Sequence, residues 1–240
     1  MRIWGINAGL EILKVKSERI KWIALLDDNG RRGEIYKLAL EKGIPVQFRS
    51  KRELWQLALE HDEHQGVVAD CPRLIDYVNW KEFVEDDFVV FPYKIQDPHN
   101  LGAIVRTAVF MGVLNFLLVK KGGLSTITGA VVKASSGAAA YARFCNWASP
   151  HIVKNLKEEG FKVVAFDLAG DVDLEEFVWP DKTLLILGSE GSGFKSSKFG
   201  RNLIDHMVKI RGNFESLNVS NTFAIAMWDR RLKVSKGGYK

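Results

Sequence analysis

Residues 183–197 read TLLILGSEGSGFKSS, an aliphatic run followed by a glycine-rich turn. The spacing from Gly188 to Gly193 matches the start of a phosphate-binding loop, whose pattern is G-x-x-x-x-G-K-[ST] after a strand. However, Phe194 occupies the position of the required lysine, and Glu190 would bring a carboxylate close to phosphate oxygens of like charge. The stretch therefore disfavours a nucleotide hydrolase. Its glycines must serve a structural or binding role other than a phosphate-binding loop.

The composition is typical of a soluble globular protein. The chain has 240 residues, of which 47% are hydrophobic and 26% charged, and its net charge of +5 is compatible with RNA binding. No apolar run approaches the roughly 20 residues of a membrane helix, and the N-terminus mixes charged and apolar residues too early for a secretion signal. We therefore expect a cytoplasmic protein that does not enter a membrane.

Cysteines and histidines do not indicate a metal site or a disulfide framework. The two cysteines, Cys71 and Cys145, are far apart in sequence and neither belongs to a C-x-x-C pair. The five histidines do not follow the spacing of metal ligands either. We expect no metal.

Hydrophobic patterning predicts an α/β protein with two domains. Short apolar runs alternate with amphipathic segments that end at glycines, which is typical of strands separated by helices and of a mostly parallel sheet. We predict a small α/β domain over residues 1–78 and a larger domain over residues 86–240. In the larger domain the pattern predicts a helix over 101–112 that begins after Asn100 and ends at Gly112.

Ligands of parallel sheets bind beyond the carboxyl ends of the strands. Three loops are predicted to lie there, at residues 97–102, 188–193 and 210–218, and all contain glycine with asparagine, glutamate or serine. None has the G-x-G-x-x-G pattern of dinucleotide folds, and no serine or cysteine occupies a G-x-S-x-G elbow. A nicotinamide enzyme and a serine hydrolase are therefore disfavoured.

The three loops together resemble a known family. The pattern Asn100-x-Gly102-x-x-x-Arg106, then LGSEGSGF (187–194), then ESLNVS (215–220) are similar to the ordered motifs of SpoU/TrmH-type RNA ribose 2′-O-methyltransferases of the SPOUT class. The resemblance covers about residues 86–235. It implies a C-terminal trefoil knot, in which glycines let backbone pass close to backbone. WGINAGLEIL (4–13) resembles the entry to a ribosomal-protein-L30e-like RNA-binding domain.

The resemblance also implies the residues of the active site. The cofactor would be S-adenosylmethionine. Its binding residues would be Gly188, Val208, Leu217, Phe166 or the adjacent Asp167, Gly193 and Ile210. The catalytic set would be Asn100, Arg106, Glu190, Ser216 and Asn218. Taken without the resemblance, the asparagines and Ser216 could be helix caps, and Arg106 and Glu190 could be solvated surface residues.

Arg106 is the expected catalytic arginine. Arginine stays protonated at neutral pH, so its action as a simple general base is unfavourable. We expect its guanidinium to stabilise the developing 2′-alkoxide or a neighbouring phosphate. Lys209 stands where the family usually has a proline, which removes one source of stiffness from the cofactor loop.

The expected substrate is structured RNA, most of all 23S ribosomal RNA. Transfer RNA is the alternative substrate, and an RNA-binding module that has lost catalysis is the alternative class. The family resemblance implies a homodimer through the knotted domain, with the C-terminal helix as interface or core. The candidate residues of that helix are Phe223, Ile225, Ala226 and Trp228. Basic residues of the first domain are candidates for RNA contact: Arg31, Arg32, Arg49, Lys51 and Arg52.

Overall fold

The computed structural model describes residues 1–59, 64–168, 170–188, 201–214 and 216–235, and it forms two compact units. The first unit joins Met1–Asp76 to Ile127–Ala142. The second unit joins Tyr77–Thr126 to Arg143–Lys240. The segment Ile127–Ala142, which lies inside the range expected for the larger domain, therefore packs with the first unit.

A four-stranded mixed sheet forms the centre of the first unit, in the order β1-β4-β2-β3. β4 pairs antiparallel with β1 and β2, whereas β2 and β3 are parallel. Its strands are β1 (Arg2–Trp4), β2 (Trp22–Leu25), β3 (Val46–Phe48) and β4 (Val67–Asp70). Its helices are α1 (Ile6–Val15), α2 (Gly30–Glu41), α3 (Lys51–Leu57) and, from the later segment, α5 (Gly129–Ala134), with short 3-10 turns at Ser17–Arg19 and Ala138–Ala140.

Contacts with β1 hold the later segment in the first unit. Ala130 of α5 packs on an apolar cluster that includes Trp4, Leu54 and Val68. Gly129 lies against β1 so closely that a side chain there would collide with the Arg2 carbonyl oxygen. Burial of apolar surface and a close backbone approach thus join two stretches that are far apart in sequence.

The second unit contains a larger sheet, in the order β7-β6-β5-β10-β8-β11-β9 among the described residues. Its strands are β5 (Phe88–Pro92), β6 (Asn115–Val119), β7 (Arg143–Ala148), β8 (Lys162–Phe166), β9 (Val172–Asp173), β10 (Thr183–Leu187) and β11 (His206–Lys209). Its helices are α4 (Pro98–Phe110), α6 (Pro150–Glu158) and α7 (Val219–Ser235), with 3-10 turns at Trp80–Phe83 and Arg201–Leu203.

Every pairing between the described strands of this sheet is parallel, which confirms the prediction of a mostly parallel α/β sheet. β5 and β10 are buried throughout and β8 is buried at its three central residues, as expected of strands covered on both faces. Strands β6 and β7 are added on one side of β5, and the later strands lie on its other side. This change of direction is a topological switch point, where open α/β sheets bind ligands.

No described helix has the length and apolarity needed to cross a bilayer.

Candidate active site

The helix that follows β5 begins earlier than predicted. Asp97 is its N-cap, because its carboxylate accepts hydrogen bonds from the main-chain nitrogens of His99 at 3.0 Å and Asn100 at 3.3 Å. Pro98 fills the first helical position, which suits its fixed φ angle. The interpretation of Asn100 as the cap is therefore wrong, and its side chain is available for another contact.

That contact joins two of the predicted loops. Asn218 donates a hydrogen bond from Nδ2 to Asn100 Oδ1 at 2.9 Å. Asn218 Oδ1 also accepts from the main-chain nitrogen of Ser220 at 2.9 Å and from its hydroxyl at 2.6 Å, at the start of α7. Asn218 therefore acts as a helix cap and as a bridge between loops that lie 118 positions apart in sequence.

The bridge fixes the relation between α4 and α7. The first turns of the two helices meet at Asn100 and Asn218, and near their other ends Arg231 Nη1 lies 3.7 Å from Met111 Sδ. The helices therefore run side by side in the same direction. Because the amino end of a helix carries partial positive charge, both helices favour electron-rich groups at the same place.

Arg106 lies on the exposed side of α4. It follows Asn100 by six residues, a rise of about 9 Å along the helix axis. Gly102 is buried one turn before Arg106, on the same helical face. Arg106 therefore shares a face of α4 with Gly102, whereas Asn100 is turned from that face by about 120° around the helix axis.

The predicted cofactor residues come together at the ends of adjacent strands. Phe166 of β8 is the register partner of Val208 of β11, and the Asp167 nitrogen donates to the Val208 carbonyl at 3.0 Å. The Tyr93 nitrogen donates to the Leu187 carbonyl at 2.9 Å, which joins the ends of β5 and β10.

The other described site residues follow these strand ends. Gly188 comes directly after β10, and Ile210 directly after β11. Ser216 and Leu217 are exposed in the loop before α7. Glu190 and Gly193 lie outside the described residues.

An ion pair that sequence reasoning missed holds the segment after β11. Arg211 contacts Asp173 of β9 through both carboxylate oxygens, with Nε–Oδ1 at 2.7 Å and Nη2–Oδ2 at 2.5 Å. Lys209 Nζ lies 4.0 Å from the same carboxylate. The Arg211 guanidinium lowers the pKa of Asp173 below its ordinary value, which keeps the pair charged. This pair restrains the segment that follows β11.

Gly170 is a second missed feature, because its backbone passes against β11. A Cβ atom at this position would lie 2.6 Å from the Val208 carbonyl carbon and 2.7 Å from the Lys209 nitrogen. Only glycine permits so close an approach of two main chains. Nothing in the local sequence pattern indicates it, since the contact is made between separate segments.

No cluster suited to a metal ion occurs in the described ranges. Cys71 and Cys145 are both buried free thiols.

The geometry agrees with comparisons to known proteins. A profile of the SpoU rRNA Methylase family matches residues 87–228. The chain belongs to the SpoU rRNA methylase family. A second profile, described as RNA 2′-O ribose methyltransferase substrate binding, matches residues 2–76. These matches confirm the resemblance drawn from the three motifs.

Relatives of this SpoU family protein match along most of its length. The TrmH-family protein YacO of Bacillus subtilis is 31% identical, with 94% of this chain and 92% of the relative covered. The 23S rRNA (guanosine-2′-O-)-methyltransferase RlmB of Coxiella burnetii is 27% identical, with coverage of 95% and 93%.

A solved structure shares the fold. The SpoU methyltransferase AviRb from Streptomyces viridochromogenes, solved in complex with AdoMet, superposes with a TM-score of 0.75 at 20% identity, over 98% of this chain and 91% of that one. The roles of the individual site residues in the present chain stay predictions.

Proposed function

We propose that this SpoU family protein transfers a methyl group from S-adenosylmethionine to a ribose 2′-hydroxyl of structured RNA, with 23S ribosomal RNA as the substrate. Family membership and the RlmB relative support the reaction and the substrate. The observation that carries the proposal is the Asn100–Asn218 hydrogen bond, because it joins the first and third motifs at the amino ends of two helices beside the switch point.

The described residues are suited to S-adenosylmethionine. Phe166 and Ile210 are half-buried apolar residues at the ends of adjacent strands, and the buried Val208 is the register partner of Phe166. Leu217 is 45% exposed, so its side chain has apolar surface to offer a purine ring. When bound, the cofactor supplies an electrophilic methyl group on a sulfonium.

Arg106 and the amino ends of α4 and α7 would lower the activation free energy of methyl transfer by acting on the ribose oxygen. Negative charge develops on the ribose oxygen as its proton leaves to solvent, and that charge is neutralised when the oxygen takes the methyl group, whose bond to the cofactor sulfur would break. The Arg106 guanidinium and the two helix amino ends stabilise that charge. The hydrogen bond between Asn100 and Asn218 holds the two helix amino ends in position, so these ends need little reorganisation during the reaction.

The finer features of the family complete the proposal. A trefoil knot would involve the segments after β10 and β11, and the tight passage of Gly170 beside Val208 is compatible with such crossings. A homodimer would form through α7. Ile225, Trp228 and Leu232 are exposed along one face of that helix, whereas Phe223 and Ala226 belong to the buried core.

The first unit would be an L30e-like RNA-binding domain, acting in the cytoplasm. Arg31, Lys51 and Arg52 are exposed and available for phosphates. Arg32 is instead bound to Asp27 through two hydrogen bonds of 2.8 Å. Arg32 is therefore a weaker candidate for RNA contact than the three exposed basic residues.

Methyl transfer to RNA transcribed in vitro tests the proposal. Purified protein with radiolabelled S-adenosylmethionine should methylate 23S ribosomal RNA, and mapping of 2′-O-methyl groups should identify the nucleotide. Arg106→Lys keeps the charge but loses the fork geometry, so its kcat should fall by about 10-fold or more. Arg73→Lys, at an exposed arginine of the first unit, is the matched control.

Each alternative predicts a different result. Methylation of transfer RNA in place of ribosomal RNA would select the alternative substrate. RNA binding without methyl transfer or cofactor binding would select an inactive RNA-binding module. Normal turnover by Arg106→Lys would contradict the role of the guanidinium.

A further inference from the structure

An open cleft lies at the edge of the large sheet, beside β7. Residue 77 forms a bridge with Phe144, and the Val78 nitrogen donates to the Phe144 carbonyl at 2.8 Å. Beyond that point the strand borders a cleft of about 430 Å³, which we call the edge cleft. It is lined by Tyr77, Val78, Asn79, Trp80, Cys145, Asn146, Trp147 and Ile152.

A bulge in β7 turns Trp147 towards solvent. Leu117 pairs with Cys145 and Val119 pairs with Ala148, so two steps along β6 correspond to three along β7. Trp147 lies in the bulged part of β7, where its φ angle is +66° and its side chain is 63% exposed. A left-handed backbone is unfavourable for a bulky residue, and burial of the indole does not offset it. Such bulges re-aim side chains near functional sites.

The walls of the edge cleft suit a flat ring that carries hydrogen-bonding groups. Tyr77, Trp80 and Trp147 supply aromatic surface. Burial raises the pKa of the Cys145 thiol, so this wall stays neutral. Asn146 also lines the cleft, and its buried Oδ1 accepts no hydrogen bond within the described part of the chain. A nucleobase offers both a ring face and amino donors.

Lysines lie between the edge cleft and the methyl-transfer site. Lys120 Nζ lies 5.4 Å from the centre of a Trp147 ring, Lys121 follows it after β6, and Lys94 follows β5. Among the described residues, no carboxylate forms an ion pair with these three lysines.

The loops that carry these lysines are in contact. The Leu124 nitrogen donates to the Ile95 carbonyl at 2.9 Å, which joins the loop after β6 to the loop after β5. The carboxyl ends of β5 and β7 are two strand spacings apart, about 10 Å, or about three nucleotides of a stacked strand. A substrate RNA strand could therefore contact both places at once.

We propose that the edge cleft binds an unpaired base of the substrate RNA, within about three nucleotides of the methylated ribose, by stacking on Trp147. Lys94, Lys120 and Lys121 bind the phosphates between the two places. The inference rests on the proposed function for the identity of the RNA. It adds a substrate-binding site in the second unit to the RNA-binding role proposed for the first.

Steady-state kinetics and direct binding test the proposal in the full chain. Trp147→Ala should raise the KM for 23S ribosomal RNA by about 10-fold, equivalent to about 1.4 kcal/mol, and leave kcat and the KM for S-adenosylmethionine unchanged. Trp147→Phe keeps a stacking ring and should restore most of the affinity. Phe110→Ala removes another exposed aromatic, at the opposite end of α4 from Asn100, and serves as the control.

The salt dependence of binding tests the lysines. The probe is a fluorescent single-stranded RNA decamer, followed by anisotropy at several salt concentrations. Lys120→Ala should reduce the slope of log K against log salt by about 0.7, the value for one lost phosphate contact on a single strand. Trp147→Ala should weaken binding without a change in slope. Lys154→Ala, at an exposed lysine of α6, is the matched control.

The outcomes separate this inference from the proposed function. Unchanged RNA affinity in Trp147→Ala and Lys120→Ala, with methylation intact, would overturn the inference only. RNA binding that depends on Trp147 without any methyl transfer would uphold the edge cleft as a base-binding site and overturn the proposed function. A change of oligomeric state in Trp147→Ala with normal RNA affinity would assign the cleft to contact between copies and overturn the inference.

Discussion

Replacement of Asn100 by alanine separates positioning from stability at the proposed active site. Asn100 does not cap its own helix, because Asp97 does so. Its side-chain oxygen instead accepts the 2.9 Å hydrogen bond from Asn218. Asn100→Ala therefore removes the bridge between α4 and α7 and leaves both helix caps in place.

The expected change in stability is small. A hydrogen bond between neutral side chains contributes about 1 kcal/mol, and alanine is favoured over asparagine inside a helix by about 0.5 kcal/mol. Asn100→Ala should thus lower the free energy of unfolding by about 0.5 kcal/mol. Asn218→Ala loses the bridge and a cap, together about 2 kcal/mol. The double variant should lose about 1.5 kcal/mol instead of the additive 2.5 kcal/mol, since the bridge can be lost only once.

Urea denaturation followed by circular dichroism measures these differences, and methyl transfer measures function. We expect kcat of Asn100→Ala to fall at least about 10-fold although the fold is barely weakened, because the amino ends of the two helices are no longer held together. Two results would refute the reasoning: additive losses in the double variant, or normal turnover in Asn100→Ala.

Four further predictions concern other contacts. Asp173→Asn removes the carboxylate that binds Arg211, so calorimetry should show weaker binding of S-adenosylmethionine, with the heat of the wild-type chain as reference. Arg211 lowers the pKa of Asp173, so the ion pair stabilises the fold fully above the ordinary carboxyl pKa of 3.8. This stabilisation is lost as the pH falls through the lower pKa that Asp173 has in the folded chain. In acid titrations followed by circular dichroism, the wild-type chain should therefore lose more stability in this pH range than Asp173→Asn does. Ser50→Ala breaks the capping box that Ser50 forms with Glu53 at the start of α3, and thermal denaturation should show a loss of about 1 kcal/mol; no loss would mean that solvent replaces the box. Trp228→Asp places a charge on the exposed face of α7, so light scattering should report a monomer; an unchanged mass would exclude this face as the dimer contact.

Local patterns predict most elements of the fold. The runs around 88–92 and 183–187 are apolar throughout, and both are buried strands. β7 was not predicted, because Asn146 and Trp147 interrupt its apolar pattern at the bulge. The packing of Ile127–Ala142 with the first unit also escaped prediction, since it depends on contacts with Trp4 that no local pattern encodes.

The candidate site was predictable where a motif carries it and unpredictable where a long-range contact does. The motifs predicted Asn100, Arg106 and Asn218 as site residues, and their catalytic roles stay predictions; the cap was assigned to the wrong residue. The signal for the correct cap was present in the sequence, because Asp97 followed by Pro98 is a usual start of a helix. No sequence signal pointed to Asp173 as the partner of Arg211, which is 38 positions away.

The Asp173–Arg211 pair indicates what the segment after β11 requires. A proline stiffens such a segment by fixing one backbone angle, independently of any neighbour. In this chain position 209 is a lysine, and the restraint comes from a two-point ion pair to β9, with Lys209 near the same carboxylate. Because an ion pair depends on pH and salt and a proline does not, restraint of the proposed cofactor segment should weaken in acid. Cofactor binding that stays constant as the pair is protonated would show that the segment is held by other contacts.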